Sequence, residues 1–390
     1  MMNLLRPLFA AAALFVAACA SAPQAEAQSS WDNIARIVVV GDLEGDYEKF
    51  ADILRTAGLI DGEGDWSGGA AHLVQLGDIP DRGPNSRQIM DHLMRLERQA
   101  NRAGGRVHAL IGNHEAMNVG GDLRYVHPGE YAAFATRGSA RLRDQYYRRY
   151  VDAVRSNPPP GGLPAIDEAF RAQFDANHPL GWVEHRQAWA PAGEYGRWVS
   201  GHNTVIRIND TLFLHAGIGP AYAALARDTM NDAVRSALRG APGALHPNIL
   251  TDEDGPLWYR GFALNAEEAE RANLEAVLAR HGVSRVVVGH TKRAATVLPR
   301  FDGRVIIADV AVPDGFSDPH SFLVIESGVL TTIHRGQRVP LRASNRAETC
   351  AYLAQIATLD PPNSPNAERA QRCAAGEDLP AVAVTNGNGG

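Results

Sequence analysis

The chain has 390 residues, 45% hydrophobic and 21% charged, enough to bury one large core or two smaller ones. Its formal net charge of −6 is mild and no basic stripe runs through it, which argues against nucleic acid as a partner. No repeat of solenoid or propeller length is present.

The first 30 residues read as an export segment and not as part of a fold. Arg6 precedes an apolar run from Leu8 to Ala18, which is short for a membrane span. Two exits compete. "VAAC" (Val16 to Cys19) resembles a bacterial lipobox, in which Cys19 would be lipidated, and "AEA" at 25–27 could be an ordinary cleavage site. The first abuts the apolar run and is favoured. A periplasmic protein anchored to a membrane through Cys19 is the resulting expectation.

Five apolar runs follow, each ending in a polar cluster: "RIVVVGDLEGD" (36–46), "HLVQLGDIPDRG" (72–83), "RVHALIGNHE" (106–115), "DTLFLHAGIGP" (210–220) and "SRVVVGHTK" (284–292). Short β-branched runs of this kind predict buried strands. Helical patterns lie between several of them, as in "DYEKFADILRTAGLI", "SRQIMDHLMRLERQANRAGG" and "AEEAERANLEAVLARHG". The chain is therefore expected to be α/β. Ligands of such sheets bind beyond the carboxyl ends of the strands. Those ends carry Asp42, Glu44, Asp78, Asn113, His114, His215 and His290. Clustered acids resist burial unless something positive lies among them, so metal cations are expected there.

Residues 116–200 are rich in Arg, Tyr and Ala and are broken by "NPPPGGLP". They predict a helical insertion, either a layer over a sheet or a lid over the site. Beyond Pro340, one helical stretch surrounds "AETCAYLAQIATL", and "TNGNGG" reads as a disordered tail. In an oxidising compartment Cys350 and Cys373 can pair as a disulfide, the alternative being two free thiols.

The order "GDLEGD", "GDIPDRG", "GNHE", a strand-end His and "GHT" resembles the calcineurin-like metallophosphoesterases over roughly residues 34–335. "DRG" and "GNHE" are similar to the phosphoprotein phosphatase branch, and "GPLWYRG" (255–261) to its bacterial Shewanella-like phosphatases. The resemblance implies a four-layer α/β/β/α sandwich with a helical insertion. The implied layout is a lipoprotein-type signal peptide at 1–18, a linker at 19–33, a catalytic domain at 34–340 and a C-terminal extension at 341–390.

The resemblance also implies two divalent metal ions, manganese first, with iron or zinc as alternatives. Asp42, Glu44 and Asp78 would hold one; Asp78, Asn113, His215 and His290 the other. Position 44 carries Glu where the family usually has His, and Lys292 stands where many members have a further His, which the phosphoprotein phosphatases also lack. Arg82 and Arg260 match a phosphate clamp, joined by Asn113 at the substrate, and His114 oriented by Asp81 matches a general acid. The implied reaction is hydrolysis of phosphomonoesters, including phosphoprotein Ser/Thr or Tyr phosphate, by a metal-activated hydroxide. Two alternatives are a phosphodiesterase or nucleotide-pyrophosphate hydrolase of the same superfamily, and a catalytically silent metal-binding lipoprotein.

Overall fold

The apolar runs of the sequence are strands, and they are mostly apolar because both faces of their sheets are covered. Ile37 to Val40 are all buried, as are Leu73, Val74, Leu212 to Leu214 and Val286 to Val288. We describe residues 28–241, 243, 246–310 and 317–377 of a computed structural model of the chain. Residues 1–27, with the lipidation candidate Cys19, and the tail from 378 onward lie outside the described residues, whereas Ser29 and Ser30, read above as the end of the export segment, belong to the fold: Ser29 is buried and Ser30 pairs with Arg207 at a sheet edge. Among the described residues no helix is long and apolar enough to cross a membrane.

In chain order the first elements are β1 (Ser30–Trp31), β2 (Arg36–Val40), α1 (Tyr47–Thr56), β3 (His72–Gln75), α2 (Ser86–Arg102), β4 (Arg106–Ala109) and α3 (Asn113–Gly120). Helices then dominate: α4 (Pro128–Phe134), α5 (Ser139–Ser156), α6 (Glu168–Asn177), α7 (Trp182–Trp189) and α8 (Glu194–Val199). The second sheet arrives with β5 (Val205–Ile208), β6 (Thr211–Leu214), α9 (Arg227–Leu238), α10 (Gly261–Leu264), α11 (Glu267–His281), β7 (Arg285–Val288), β8 (Leu298–Arg300) and β9 (Val305–Ile307). The chain closes with β10 (Phe322–Glu326), β11 (Val329–His334), β12 (Gln337–Pro340), α12 (Arg346–Ala357) and α13 (Pro365–Ala374).

Two six-stranded mixed sheets result, in the orders β1-β5-β6-β7-β9-β8 and β12-β11-β10-β2-β3-β4. Within the second, β2, β3 and β4 are parallel neighbours, with Val38 opposite Leu73 and Val74 opposite His108. Within the first, β6, β7 and β9 are parallel neighbours, with Phe213 opposite Val287 and Val287 opposite Ile306. The two parallel trios bring their carboxyl ends to one place. Gly41, just past β2, lies so close to the end of β9 that an added Cβ would stand 2.4 Å from the Ala308 carbonyl oxygen. Only glycine allows that approach.

Local chemistry sets the helix starts. Asp46, the third acid of "GDLEGD", caps α1 by accepting from the Lys49 amide at 3.0 Å, and takes no part in the cluster described below. In the helical stretch, α5 packs against α7. Tyr147 and Tyr150 of α5 meet Phe174 of α6 at ring distances of 4.9 and 5.3 Å.

The end of the described chain is fastened at three points. Cys350 and Cys373 are bridged with Cα atoms 5.4 Å apart, joining α12 to α13. Tyr352, fully buried, donates to the Val297 carbonyl at 2.7 Å. Asp360 receives Arg335 at 2.6 Å, His334 at 3.0 Å and Asn366 at 2.7 Å.

Candidate metal centre

The residues just beyond the six parallel strands are Asp42, Asp78, Asn113, His215, His290 and Asp309, and every one is buried. The loops that carry them are held in unusual backbone. Asp78 has φ +55°, His290 +63°, Glu44 +50°, Asp81 +79° and Arg82 +58°. Left-handed backbone at non-glycine residues costs of order 1 kcal/mol or more each, and such clustering is typical of functional sites. Gly77 at φ +100° packs against Gly112 and the His215 ring, where an added Cβ would lie 2.7 and 2.8 Å away.

Glu115 keeps the Asp78 loop in place. Its carboxylate accepts from the amides of Asp78 (3.0 Å), Ile79 (2.8 Å) and Gly112 (2.8 Å). The second hydrogen-bonding side of Asp78 is filled by the His114 amide, 2.9 Å from Oδ1. Burial would raise the pKa of Asp78, but His215 and His114 beside it win and hold the carboxylate well below the usual range.

Four ligand atoms converge at Asp78. His215 Nε2 is 3.3 Å from Asp78 Oδ1, 2.9 Å from Asn113 Oδ1 and 3.1 Å from His290 Nδ1. Asp78, His215 and His290 each offer one atom within 4.8 Å of the others. The other ring nitrogen of His215 is 2.9 Å from the Leu76 carbonyl. Donation there fixes the tautomer and turns the Nε2 lone pair toward the cluster. Two imidazoles, an amide oxygen and a carboxylate with no thiolate form a donor set that fits a divalent manganese, iron or zinc ion. Without a cation, burial opposes charge on His215, yet Asp78 raises its pKa to about 9.

Asp42 and Glu44 sit differently. Asp42 Oδ1 accepts from the His290 amide at 3.1 Å. Burial, then Asp309 and Asp78, push its pKa well up. Glu44 has both oxygens engaged by cations: Oε1 is 2.5 Å from Arg82 Nη1 and Oε2 is 2.6 Å from Lys292 Nζ. Burial opposes ionisation of Glu44, but Lys292 and Arg82 hold its pKa below the usual value. The set Asp42, Glu44 and Asp78 therefore fits a cation poorly, because Glu44 is already spent on ion pairs.

The remaining site residues surround this centre. His114 Nδ1 is 2.5 Å from Asp81 Oδ2, and Asn118 holds the other oxygen of Asp81 at 2.9 Å. His114 Nε2 is 3.8 Å from Asp78 Oδ2 and 3.3 Å from Arg82 Nη1. Arg82 is 43% exposed and marks the open side of the site, where Tyr125, equally exposed at 43%, lies under its guanidinium at 5.2 Å. Arg260 donates to the His290 carbonyl at 2.9 Å and to Thr291 Oγ1 at 3.1 Å.

The structure thus brings together every strand-end residue singled out in the sequence, with Arg82, Arg260, His114 and Asp81 around them. His202, in "SGHNT", stays outside and pairs with Glu97 at 3.0 Å. Sequence reasoning missed Asp309. Its signal was available, since "RVIIAD" is another apolar strand ending in an acid.

The chain matches the calcineurin-like phosphoesterase family over residues 35–294. It is 30% identical to an uncharacterised protein of Schizosaccharomyces pombe, over 78% of this chain and 82% of that one. It is 29% identical to Shewanella-like protein phosphatase 2 of Arabidopsis thaliana, over 75% of each. Among solved structures, the cold-active protein-tyrosine phosphatase of a psychrophilic Shewanella superposes with TM-score 0.61 at 30% identity, covering 81% of this chain and 83% of that one. The motif order, the two-sheet sandwich and the strand-end donor set meet in these likenesses, and the chain belongs to the calcineurin-like phosphoesterases.

Proposed function

We propose that the chain is a metal-dependent phosphatase that hydrolyses phosphomonoesters outside the cytoplasm. The observation that carries this reading is the convergence of Asp78, Asn113, His215 and His290 beside the buried His114–Asp81 pair and the exposed Arg82. A divalent ion at those four residues would supply Lewis acidity and lower the pKa of a water molecule. Oxygen and nitrogen donors without thiolate suit manganese, iron or zinc, and manganese is the ion to test first.

The chain's own residues supply the rest. Guanidinium groups on Arg82 and Arg260 can hold phosphoryl oxygens through parallel hydrogen bonds while keeping their charge. Asn113, whose Oδ1 is 2.9 Å from His215 Nε2, is the further residue we assign to the substrate. His114, whose pKa is raised by Asp78 and Asp81 against the effect of burial, can deliver a proton to the leaving oxygen. Tyr125, ring to ring 5.2 Å from His114 at the mouth, offers a face to an aryl group. It supports aryl phosphates, phosphotyrosine among them, as the better substrates.

Export is supported by the apolar run Leu8–Ala18 and by the Cys350–Cys373 bridge, which suits an oxidising compartment. Lipidation at Cys19 in a bacterial periplasm is testable by acyl-chain labelling that Cys19→Ser abolishes. The central test is turnover of p-nitrophenyl phosphate against bis(p-nitrophenyl) phosphate by the purified chain with manganese. Preference for the monoester by ten-fold or more is expected. A preference for the diester would favour the phosphodiesterase reading, and no turnover of either with manganese, iron or zinc would leave the silent lipoprotein.

A further inference from the structure

We propose that the ammonium of Lys292 takes the place of one of the two cations that the motif order implies, so that the centre holds a single divalent ion at Asp78, Asn113, His215 and His290 beside a resident lysine. The inference deepens the metal-dependent reading above and rests on it.

The charged side chains at the carboxyl ends of β2, β7 and β9 are arranged around this lysine. Lys292 and Glu44 are 248 residues apart in sequence and meet at 2.6 Å, with side chains only 25% and 18% exposed. The other oxygen of Glu44 is taken by Arg82 at 2.5 Å. Asp309 and Asp42 lie within electrostatic reach of the same ammonium. A carboxylate taken out of water, as Glu44 is, needs positive charge beside it, and Lys292 and Arg82 supply it from both sides.

The chemistry of the side chains makes the substitution exclusive. A protonated lysine has three donors and no lone pair, so it neutralises carboxylates but cannot ligate a metal. A divalent ion bound to Glu44 would stand beside the ammonium on a shared carboxylate, and the two positive charges would repel in a poorly solvated place. Either the lysine or the ion occupies the position. At Asp78, in contrast, the converging atoms are two imidazole nitrogens, an amide oxygen and a carboxylate oxygen, all able to ligate.

The test is metal stoichiometry of the full chain, measured by mass spectrometry of the metal after equilibration with manganese and removal of free ion. One manganese per wild-type chain is expected. Lys292→Met should raise the count to two, because the acids lose their cation, and Glu44→Gln added to that variant should return it to one. Two ions per wild-type chain would overturn the inference, as would a folded Lys292→Met chain that still binds one. If Lys292→Met does not fold, the wild-type count decides alone. One bound ion without hydrolysis of any phosphomonoester would keep the single-ion centre and sink the phosphatase reading. No bound ion would sink both.

Discussion

His114 Nδ1 and Asp81 Oδ2 are 2.5 Å apart, with side chains 3% and 1% exposed. Burial works against an imidazolium, but Asp78 and Asp81 outweigh it and raise the pKa of His114. A histidine whose pKa is raised keeps its proton to higher pH and can give it to a leaving oxygen. His114→Asn should therefore slow hydrolysis of an alkyl phosphate by about 10²–10⁴-fold. Loss on p-nitrophenyl phosphate should be much smaller, since that leaving group departs without a proton. Steady-state rates on the two esters check it, and equal losses would remove the acid role.

Glu115 tests the support of the centre without touching the ligands. Its carboxylate takes three backbone amides, those of Asp78, Ile79 and Gly112, and it is 1% exposed. Glu115→Gln preserves shape but turns one acceptor into a donor that faces amide N–H groups. The Asp78 loop should loosen, and manganese affinity should fall by about 10–100-fold, the usual range for groups that orient a ligand. Competition with a chelator gives the affinity. Unchanged affinity in a folded variant would mean that the strained backbone at Asp78 holds itself.

Much of this was legible in the sequence, and the reason is the double burial of the central strands. A strand covered on both faces is apolar at most positions, so the point where it leaves the core shows as an abrupt polar cluster, and Asp42, Asp78, Asn113, His215 and His290 all announce themselves that way. Asp309 has the same signature but stands outside the motif order, and so it passed unread. The partners of Glu44 were not legible. A carboxylate two residues beyond a strand serves a metal, an arginine or a lysine equally well. Only the meeting of β2 with the His290 loop across the two sheets shows that Lys292 and Arg82 claim it. In sequence, Glu115 of "GNHE" fits a helix-start acid and a support equally well, and its side chain does both, closing α3 at Gly112 while it fixes Asp78 and Ile79.

The Cys350–Cys373 bridge closes a loop with a sequence separation of 23. Loop-closure entropy of that size is worth about 3 kcal/mol, since cross-linking narrows the unfolded ensemble. Cys350→Ser with Cys373→Ser should lower unfolding free energy by that order in urea titration. A loss below about 0.5 kcal/mol would show that Tyr352 and Asp360 alone hold α12 and α13 in place.

Asp360 ties stability to acid pH. Burial opposes its charge, but His334, Arg335 and Asn366 prevail and lower its pKa from 3.8 to about 2. The sign follows from proton uptake. Between these values the unfolded chain binds a proton at this residue and the folded chain does not, so protons favour unfolding. The stabilisation is fully present above about pH 4 and is lost as pH falls through about 2, a total near 2 kcal/mol. Asp360→Asn cannot ionise. The gap in unfolding free energy between wild type and Asp360→Asn should be about 2 kcal/mol at neutral pH and should close in strong acid. Urea titrations across that range measure it, and a gap independent of pH would assign the contribution of Asp360 to packing and neutral hydrogen bonds instead of to its charge.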